Sequence, residues 1–346
     1  NDGTVNIALA TMTAPNNSTD MTWSVVASQV AGTGTVTGTG TVFSSLNDQP
    51  FTAGLASIAG TLNNDGDDVA VVRYIATPNL VGSSNCPGAS LPPINVEIEP
   101  TPRLSPSLNT LAAICSGDLV NITLTNHTTS SGPALTYLTE VFSSTSDLDD
   151  ITGEEAINGI SQVYALAINE TIINNTSASL QVTFRFTPEL SGCPIGLFEE
   201  IVVTIDPTPE MTSLNAETIC SGDSPTITFT SDAAATYQWT VSSITNVTRV
   251  AGPITGTDLS AEVLSNFSGS TGTVTYDVIA TGTTGLTCAG PAQVVTVTVD
   301  PAPVMTSANS ETICSGNNPS INFSSNVVGA TFNWVVTSVD PDISGT

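Results

Sequence analysis

Ile219-Cys220-Ser221-Gly222 is one of three copies of the same tetrapeptide, and its recurrence decides the fold of this chain. The tetrapeptide cysteine recurs after 105 and 94 residues, and a second cysteine series recurs after 107 and 95 residues. Alternating β-branched runs that end in acid-Pro-x-Pro, such as Val297–Pro303, keep the same register. The first series is Cys115, Cys220 and Cys314, and the second is Cys86, Cys193 and Cys288. Three markers in one register indicate a single structural unit copied in tandem.

The repeat spacing divides the 346 residues into three units and part of a fourth. Val5–Leu9 is similar to Val120–Leu124, which follows the first tetrapeptide, so we expect the first unit to begin before residue 1. Few residues follow Trp334, so we expect the fourth unit to be incomplete. The predicted domains are 1–100 (repeat 1), 101–207 (repeat 2), 208–301 (repeat 3) and 302–346 (partial repeat 4).

Short runs of alternating polarity, separated by Gly-Pro and Ser-Gly turns, fill each repeat. In repeat 3 the predicted strands include Met211–Cys220, Thr226–Thr230, Thr236–Val241, Leu259–Leu264, Thr273–Ile279 and Val294–Val299. About seven short strands in about 100 residues are typical of an immunoglobulin-like sandwich. We therefore predict an all-β chain of tandem immunoglobulin-like β-sandwiches.

The aromatic residues are predicted to lie in the sandwich cores. Trp239 stands where such sandwiches bury a tryptophan, and Trp23 and Trp334 align with it. Repeat 2 has Thr139 at this position, so we expect a different side chain to fill its core. On the penultimate strand the aligned core residues are Tyr276, Phe184 and Val72.

The charge of the chain restricts its partners. Four arginines, no lysine and 31 acidic residues give a formal net charge of −27. Nucleic acid and anionic membrane surfaces are repelled by such a chain, and no apolar run approaches the ~20 residues of a membrane span. We expect partners to be neighbouring repeats, a neutral or cationic surface ligand such as polysaccharide, or other copies of the chain.

Catalysis finds little support in the sequence. The single histidine, His127, lies in a loop-like stretch rich in Thr and Ser. A nucleophile–histidine pair could occur only once and would not explain the repeat. We therefore predict no catalytic residue, no enzyme activity and no organic cofactor.

The cysteines are predicted to form disulfides in an extracellular setting, because zinc would require closely spaced cysteine pairs or more histidines. Pairing within a repeat would join turns at opposite poles of a sandwich, ~25 Å apart, whereas a disulfide needs Cα atoms within ~7 Å. The alternatives are Cys115–Cys193 with Cys220–Cys288 within repeats, Cys115–Cys288 between repeats, or sequential pairs such as Cys193–Cys220, with partners of Cys86 and Cys314 outside the chain.

A calcium site is the one metal hypothesis that the sequence supports. Three parts of a sandwich share one pole: the turn after the first strand, the turn before the penultimate strand and the end of the last strand. Carboxylate oxygens from two or three such loops are what Ca²⁺ requires. In repeat 1 these positions hold Asp2, Asp65, Asp67, Asp68 and Glu99.

The combined motifs resemble a known family. They are Ile-Cys-Ser-Gly, a Tyr-x-Trp strand, a Leu-x-Asn turn such as Leu62-Asn63-Asn64, Cys-x-Gly and Val-x-Val-x-Pro-x-Pro. Together they resemble the PKD-like repeats of large cell-surface proteins in Bacteroidetes, including gliding-motility-type adhesins and other cargo of type IX secretion. The resemblance implies an extracellular β-sandwich array without specifying a ligand. Thr139 and an insertion at Asp147–Glu155 depart from the pattern.

These observations predict a structural role at a cell surface, as a stalk or adhesin segment. The alternatives are a subunit of a self-assembling extracellular filament and a non-catalytic module of a larger secreted polysaccharide-degrading enzyme. Recognition is usually placed in variable loops on a constant scaffold. The candidate binding segments are therefore Asp147–Glu155 in repeat 2 and Thr33–Gly40 in repeat 1.

Overall fold

A computed structural model describes residues 3–9, 21–38, 46–50, 56–80, 86–109, 111–132, 134–145, 148–165, 167–250 and 252–343. These residues form strands and turns, with a 3₁₀ helix at Leu148–Asp150. The predicted all-β class is confirmed. Within these ranges, none of the helical structure is long and apolar enough to cross a membrane. The chain divides into two compact units, Asn1–Thr176 with Leu180–Ile205 and Ser177–Ser179 with Asp206–Thr346.

The first unit contains repeat 1, which forms two sheets. Its strands are β1 (Gly3–Leu9), β2 (Met21–Ala31), β3 (Val36–Gly38), β4 (Leu46–Pro50), β5 (Ala56–Asn64), β6 (Ala70–Leu80), β7 (Cys86–Pro87) and β8 (Ile94–Ile98). One sheet has the order β1-β5-β3, and the other has the order β4-β2-β6-β7 with β8 also paired to β6. Leu62, Val72, Tyr74 and Ile98 belong to the hydrophobic core of this repeat.

Repeat 2 also lies in the first unit, and its last strand ends at the boundary with the second. Its strands are β9 (Leu104–Leu108), β10 (Ala113–Cys115), β11 (Leu119–Asn126), β12 (Leu135–Ser143), β13 (Ile151–Thr152), β14 (Ile160–Val163), β15 (Ala167–Thr171), β16 (Ile173–Asn174), β17 (Leu180–Leu190) and β18 (Glu199–Asp206). A five-stranded sheet has the order β10-β18-β17-β12-β14, a three-stranded sheet has the order β15-β11-β9, and β13 pairs with β16. A separate core, which includes Tyr137, Phe184 and Phe186, belongs to this repeat.

Repeat 3 lies in the second unit and repeats the five-stranded sheet. Its strands are β19 (Ala216–Cys220), β20 (Ala235–Thr245), β21 (Thr248–Val250), β22 (Thr255–Gly256), β23 (Val263–Ser265), β24 (Gly272–Gly282) and β25 (Gln293–Asp300). The sheet order is β19-β25-β24-β20-β22, with β19 and β25 parallel, and β21 pairs with β23. Its core includes Trp239, Tyr276, Val278 and Val297.

The predicted core positions are confirmed at Trp239, Tyr276, Phe184 and Val72, whereas Trp334 was predicted to lie in a core and is exposed. Trp239 is 2% exposed, and Tyr276, Phe184 and Val72 are fully buried. The Trp23 side chain lies outside the described part of the structure. Trp334 is 68% exposed. The described residues of partial repeat 4 form an isolated bridge between Met305 and Ser325, and none of them forms an extended strand. A short pairing of this kind is marginal without further strands to cover it.

Three strand predictions for repeat 3 differ from the structure. Met211–Cys220 is a strand only from Ala216, as β19. Thr226–Thr230 makes one bridge, from Thr228 to Asp258, and is not an extended strand. Leu259–Leu264 is a turn that becomes β23 only at its end, because the Glu262 N–H donates to the Leu259 carbonyl at 3.0 Å. The alternating pattern of this segment predicts a strand. The same pattern also arises when Leu259 and Leu264 are buried on either side of a turn, as they are here.

Candidate functional site at the recurring turn pole

Each tetrapeptide forms a tight turn. In repeat 3 the Asp223 N–H donates to the Cys220 carbonyl at 3.1 Å, and in repeat 2 the Asp118 N–H donates to the Cys115 carbonyl at 3.0 Å. The third turn residue has a positive φ, 97° at Gly222 and 87° at Gly117. A turn with this bond and this φ requires glycine at its third position. The glycine of the tetrapeptide is therefore a backbone requirement.

The serine of the tetrapeptide fastens this turn to a second one. Ser221 Oγ accepts a hydrogen bond from the Asn266 N–H at 2.8 Å, and Ser116 Oγ accepts one from the Asn174 N–H at 3.0 Å. The following glycine also donates its N–H, Gly222 to the Leu264 carbonyl at 2.7 Å. The tetrapeptide turn and the Leu-x-Asn turn are therefore held together through their backbones.

The asparagine of the Leu-x-Asn turn, which reads Ile172-Ile173-Asn174 in repeat 2, ties the assembly to the last strand. Asn266 Nδ2 donates to the Val299 carbonyl at 2.9 Å, Asn174 Nδ2 to the Ile205 carbonyl at 2.9 Å, and Asn64 Nδ2 to the Ile98 carbonyl at 3.0 Å. All three asparagines are buried, at 0%, 7% and 2% exposure. We call this end of each repeat the turn pole. It joins the tetrapeptide turn, the Leu-x-Asn turn and the end of the last strand.

Two of these asparagines, Asn174 and Asn266, belong to Asn-x-Ser/Thr tripeptides. Asn266 Oδ1 accepts from the Ser268 N–H at 2.9 Å and from Ser268 Oγ at 2.7 Å, and Asn174 Oδ1 accepts in the same way from Thr176 at 2.9 and 2.8 Å. An asparagine that accepts from the residue two positions later makes an Asx turn. In these two repeats the tripeptide has a structural role. In the sequence, this role is indicated only by the recurrence of the tripeptide after an apolar residue.

The calcium candidates of repeat 1 lie near its turn pole, but protein donors engage them. Asp67 forms an ion pair with Arg103. Asp65 Oδ1 accepts from the Thr35 N–H at 2.5 Å, and Glu99 Oε1 accepts from Ser131 Oγ at 2.8 Å. No group of three or more potential metal-ligating side chains is assembled within the described residues, and Asp2 lies outside them. The calcium site stays a prediction, and Ca²⁺ would have to compete with the Arg103 guanidinium for Asp67.

Asp206, which aligns with Glu99 at the end of the last strand, makes different contacts in repeat 2. Asp206 is 1% exposed, and its Oδ2 accepts from the Leu286 N–H at 2.6 Å. Its Oδ1 accepts from Ser179 Oγ. All three residues belong to the second compact unit. The acid of acid-Pro-x-Pro therefore caps a turn at this position.

The glycine that follows the second-series cysteine, in Cys288-x-Gly290 and in Cys193-x-x-Gly196, is required by a close backbone approach. A Cβ at Gly290 would lie 1.9 Å from the Pro209 carbonyl oxygen, and one at Gly196 would lie 2.1 Å from the Pro102 carbonyl oxygen. In each case the second proline of acid-Pro-x-Pro runs against the glycine of the repeat that it opens. The sequence showed both motifs, but their contact appears only in the fold.

This scaffold agrees with the comparison to known families. A PKD-like domain model matches residues 112–209 and 217–303. The chain belongs to the PKD-like domain family. No curated protein matches it.

Solved structures resemble the PKD-like chain only remotely. Chicken CNTN1 FN1–FN3 domains are 11% identical, with a TM-score of 0.23 over 86% of this chain and 94% of that one. Zebrafish RET cadherin-like domains 1 to 4 are 11% identical, with a TM-score of 0.22 over 81% of this chain and 66% of that one. Fibronectin(III)-like modules of Clostridium thermocellum CbhA are 14% identical, with a TM-score of 0.19 over 57% of this chain and 95% of that one.

The cysteines of the PKD-like repeats fall into two states. Cys115 and Cys288 are disulfide-bonded, whereas Cys220 and Cys314 are exposed free thiols. The predicted Cys220–Cys288 bond within repeat 3 and the sequential alternative Cys193–Cys220 are therefore not formed. The reason is the strand register, since Cys220 lies opposite Asp300 at the end of β25 and Cys288 precedes the start of that strand. About eight strand residues, at ~3.3 Å each, separate the two turns.

Repeat 2 sets the same separation between Cys115 and Cys193. The Thr204 N–H near the end of β18 donates to the Ala112 carbonyl beside β10, whereas Cys193 lies in the turn that precedes β18. The fold therefore opposes pairing within a repeat. The predicted pairing of Cys115 with Cys288 stays a prediction, as do the partners of Cys86 and Cys314.

A cleft of about 300 Å³ in the first unit contains the only histidine. His127 Nε2 lies 3.0 Å from Ser105 Oγ, the spacing of a nucleophile and its base. No carboxylate hydrogen-bonds to His127 among the described residues, and the Asp67 carboxylate beside this cleft is paired with Arg103. Such a pair lacks the third group that orients the histidine in a catalytic triad.

Repeat 3 holds the strongest charge cluster, and it is buried. Arg249 donates to the two carboxylate oxygens of Glu262 at 2.7 and 2.9 Å, and the Tyr276 hydroxyl donates to Glu262 at 2.5 Å. Glu262 is 1% exposed. Burial, and then the hydrogen bond to Glu262, raises the pKa of Tyr276. All the groups are satisfied by one another, so the cluster is a structural link between β24 and the Leu259–Glu262 turn.

Proposed function

We propose that this PKD-like chain is an extracellular structural array, a stalk or adhesin segment that spaces other parts of a surface protein. The observation that carries the proposal is the use of the recurring residues. The tetrapeptide, the Leu-x-Asn asparagine and the Cys-x-Gly glycine all serve turn-pole or backbone contacts. What the repeats share is therefore a scaffold, as expected of a spacer copied in tandem.

Two further features support an extracellular setting. PKD-like domains and disulfides are typical of extracellular proteins, and this chain has both. The motif resemblance extends the proposal to the large surface proteins of Bacteroidetes, in which the array would belong to an adhesin or to other type IX secretion cargo. PKD-like domains are typically non-catalytic modules, and we propose the same for this chain.

Part of each candidate binding segment is held by contacts within its own repeat. In the repeat-2 insertion Ile151 is buried, at 1% exposure, and Ile157 just after it is buried at 4%. In the repeat-1 segment the Val36 N–H donates to Gln29 Oε1 at 2.9 Å, and Gln29 Nε2 donates to the Gly34 carbonyl at 2.7 Å. Asp147 and residues 39–40 lie outside the described part. Binding through these segments would use their exposed side chains, such as Asp149 and Glu155.

A structural calcium ion near Asp65, Asp67, Asp68 and Glu99 is part of the proposal only for repeat 1. The Arg103 guanidinium already compensates Asp67. We therefore expect Arg103→Gln to increase Ca²⁺ affinity, measured by calorimetric titration, and chelation to lower the stability of this variant more than that of the unmodified chain. Stability unchanged by chelation in both proteins would remove calcium from the proposal.

Surface display can be tested through the exposed Cys220 thiol. A membrane-impermeant maleimide, added to intact cells after mild reduction with an impermeant phosphine, should label the full-length protein at Cys220. Cys220→Ser should lose labelling at that site and serves as the matched control. Labelling of Cys220 only after cell lysis would overturn the extracellular proposal. Electron microscopy of the native protein then distinguishes a single-chain stalk from a multi-chain filament.

A further inference from the structure

The open face of the repeat-2 five-stranded sheet carries an unusual group of aromatic side chains. Phe142 on β12 is 39% exposed, and Phe198, just before β18, is 52% exposed. Arg185 on β17 lies between them, with its guanidinium carbon 4.7 Å from the Phe142 ring centre and 4.5 Å from that of Phe198. We call these three residues the aromatic clamp. A cation held between two rings keeps both of them in a fixed position on the surface.

The arginine of the clamp is electrostatically satisfied. Arg185 Nε donates to Glu200 at 2.8 Å, and its guanidinium lies 3.7 Å from the Glu140 carboxylate. Two carboxylates therefore compensate one cation, and two rings contact its guanidinium. Arg185 is not available to attract an anionic ligand. What the clamp presents to solvent is apolar ring surface with an excess of negative charge beside it.

Two further apolar side chains lie on the same face of this sheet, Val202 on β18 (45% exposed) and Val163 on β14 (68%). Glu189 on β17 adds an acid to this face. Together with the clamp these residues form a patch. Contiguous exposed apolar surface with a polar rim marks interaction sites on soluble proteins, whereas single exposed apolar residues need no explanation.

The fold does not require the clamp, because repeat 3 builds the same sheet without it. Strand register places Ser243 where repeat 2 has Phe142, and Asp277 where it has Arg185. Ala292 stands at the position of Phe198. Repeat 3 thus has Ser, Asp and Ala on an equivalent open face. The exposed rings therefore have a role that is specific to repeat 2 and differs from the scaffold role of the residues that the repeats share.

We propose that the aromatic clamp and its apolar surroundings dock a basic, apolar polypeptide segment of another protein. Charge complementarity selects this occupant, since the patch carries excess carboxylates on a chain of net charge −27. A second copy of the same chain has no lysine and four arginines, so its net negative charge would be repelled by the acids of the patch. The patch occupies the face of one small sheet, so the interaction belongs to the weak, transient class of interfaces. The inference does not rest on the proposed stalk role.

The test uses the full chain and a synthetic decapeptide of alternating Lys and Phe as the probe. The double variant Phe142→Ser, Phe198→Ala gives repeat 2 the residues of repeat 3 and leaves the net charge unchanged. We expect it to weaken peptide binding at least about tenfold in calorimetric titration, because buried aromatic anchors carry most of the energy of an interface. Val294→Ser removes a 53% exposed apolar residue from the open face of repeat 3 and should leave binding unchanged.

Several results would overturn the proposal. Equal affinity of the unmodified chain and the double variant would show that only net charge attracts the peptide. Binding of a Glu-Phe decapeptide as tight as that of the Lys-Phe peptide would remove the argument from charge. Displacement of the peptide by a neutral oligosaccharide would assign the rings to a glycan, and a dimer in sedimentation that the double variant loses would assign them to a second copy. Unchanged thermal unfolding of the double variant is the control for folding.

Discussion

A buried asparagine makes the connections of the turn pole in each repeat. Asn266 donates from Nδ2 to the Ser270 and Val299 carbonyls and accepts at Oδ1 from Ser268. No apolar side chain of similar size can both donate and accept here. A buried carbonyl that loses its donor retains the cost of its desolvation, which is larger than the net gain of an ordinary hydrogen bond. The residue is thus more important for stability than its polarity suggests.

We expect Asn266→Ala to destabilise repeat 3 by about 2–4 kcal/mol, because several hydrogen bonds are lost and the Val299 carbonyl remains buried. Urea unfolding followed by Trp239 fluorescence measures this change. Asn322→Ala is the matched control, since Asn322-Phe323-Ser324 repeats the tripeptide Asn266-Phe267-Ser268 on an exposed segment. An equal loss in both variants would contradict the role assigned to the turn pole.

The Tyr276 hydroxyl gives a second prediction, in alkaline solution. Burial raises the pKa of Tyr276 above its ordinary value of 10.0, so the folded state keeps the proton more tightly than the unfolded state. Its contribution to stability is complete below about pH 10 and falls as the pH rises further. Tyr276→Phe should lower stability at pH 7 by about 1–2 kcal/mol and reduce its decline above pH 10.

Denaturant titrations at pH 7, 9 and 11 measure both effects. Burial also raises the pKa of Tyr74 and Tyr137, so part of the alkaline decline should remain in the Tyr276→Phe variant. An identical pH dependence in the two proteins would show that the hydroxyl of Tyr276 ionises as easily in the folded state as in the unfolded state.

Single residues were predictable from the sequence where one property determined them. Gly222 is one, because a recurring Ser-Gly-acid turn calls for a positive φ whatever surrounds it. Trp239 is another, because large aromatics are usually buried. Asn174 and Asn266 were not recognised as buried, since their burial depends on a carbonyl brought in by a distant strand. Such a partner cannot be read from local sequence.

Among the structural elements, the repeat-2 insertion has a structural part that the sequence does not predict. Its Ile151, and Ile157 just after it, belong to the core of the repeat that has Thr139 in place of tryptophan. The Gly159 N–H, a few residues further on, donates to the Thr139 carbonyl at 2.8 Å. Binding through the exposed side chains of the insertion stays a prediction. A missing core side chain and an extra segment thus occur in the same repeat, and the segment supplies apolar volume.

We expect Ile157→Ala to destabilise repeat 2 by about 2–4 kcal/mol, the usual cost of a cavity left by a buried isoleucine. Ile173→Ala is the control, because Ile173 is 45% exposed and should change stability by less than about 1 kcal/mol. Intrinsic tyrosine fluorescence during urea unfolding follows this repeat through Tyr137. Equal effects of the two substitutions would mean that the stretch just after the insertion contributes nothing to the core of repeat 2.

Element boundaries show where sequence periodicity ceases to be informative. The long central strands were predicted well, since β20 and β24 alternate over many residues. Leu259–Leu264 alternates too, but it turns because Glu262 points inward to Arg249 and Tyr276. An acid in an apolar pattern is ordinarily placed on the solvent side. Its partners lie 13 and 14 residues away in sequence, outside any local window.

At the scale of the whole molecule, each of the first three repeats encloses its own core. The repeat-1 core extends from Val36 to Ile98, the repeat-2 core from Leu104 to Ile205, and the repeat-3 core from Ile227 to Val299. These clusters share no buried residue. The first two lie in one compact unit and the third in the other. Repeats whose cores are separate are expected to add their stabilities approximately as independent terms.

Independent cores lead to a prediction for thermal unfolding. Calorimetry of the chain with its disulfides intact should resolve more than one transition, because two-state behaviour fails for chains of several domains. Asn266→Ala should lower only the transition of the second unit, and Ile157→Ala only a transition of the first. For a domain of about 100 residues, each kcal/mol of destabilisation lowers the midpoint by about 4–8 °C. One transition that both substitutions shift equally would mean that the repeats unfold as a single cooperative body. The tandem motifs would then mark copies in sequence but not independent units of stability.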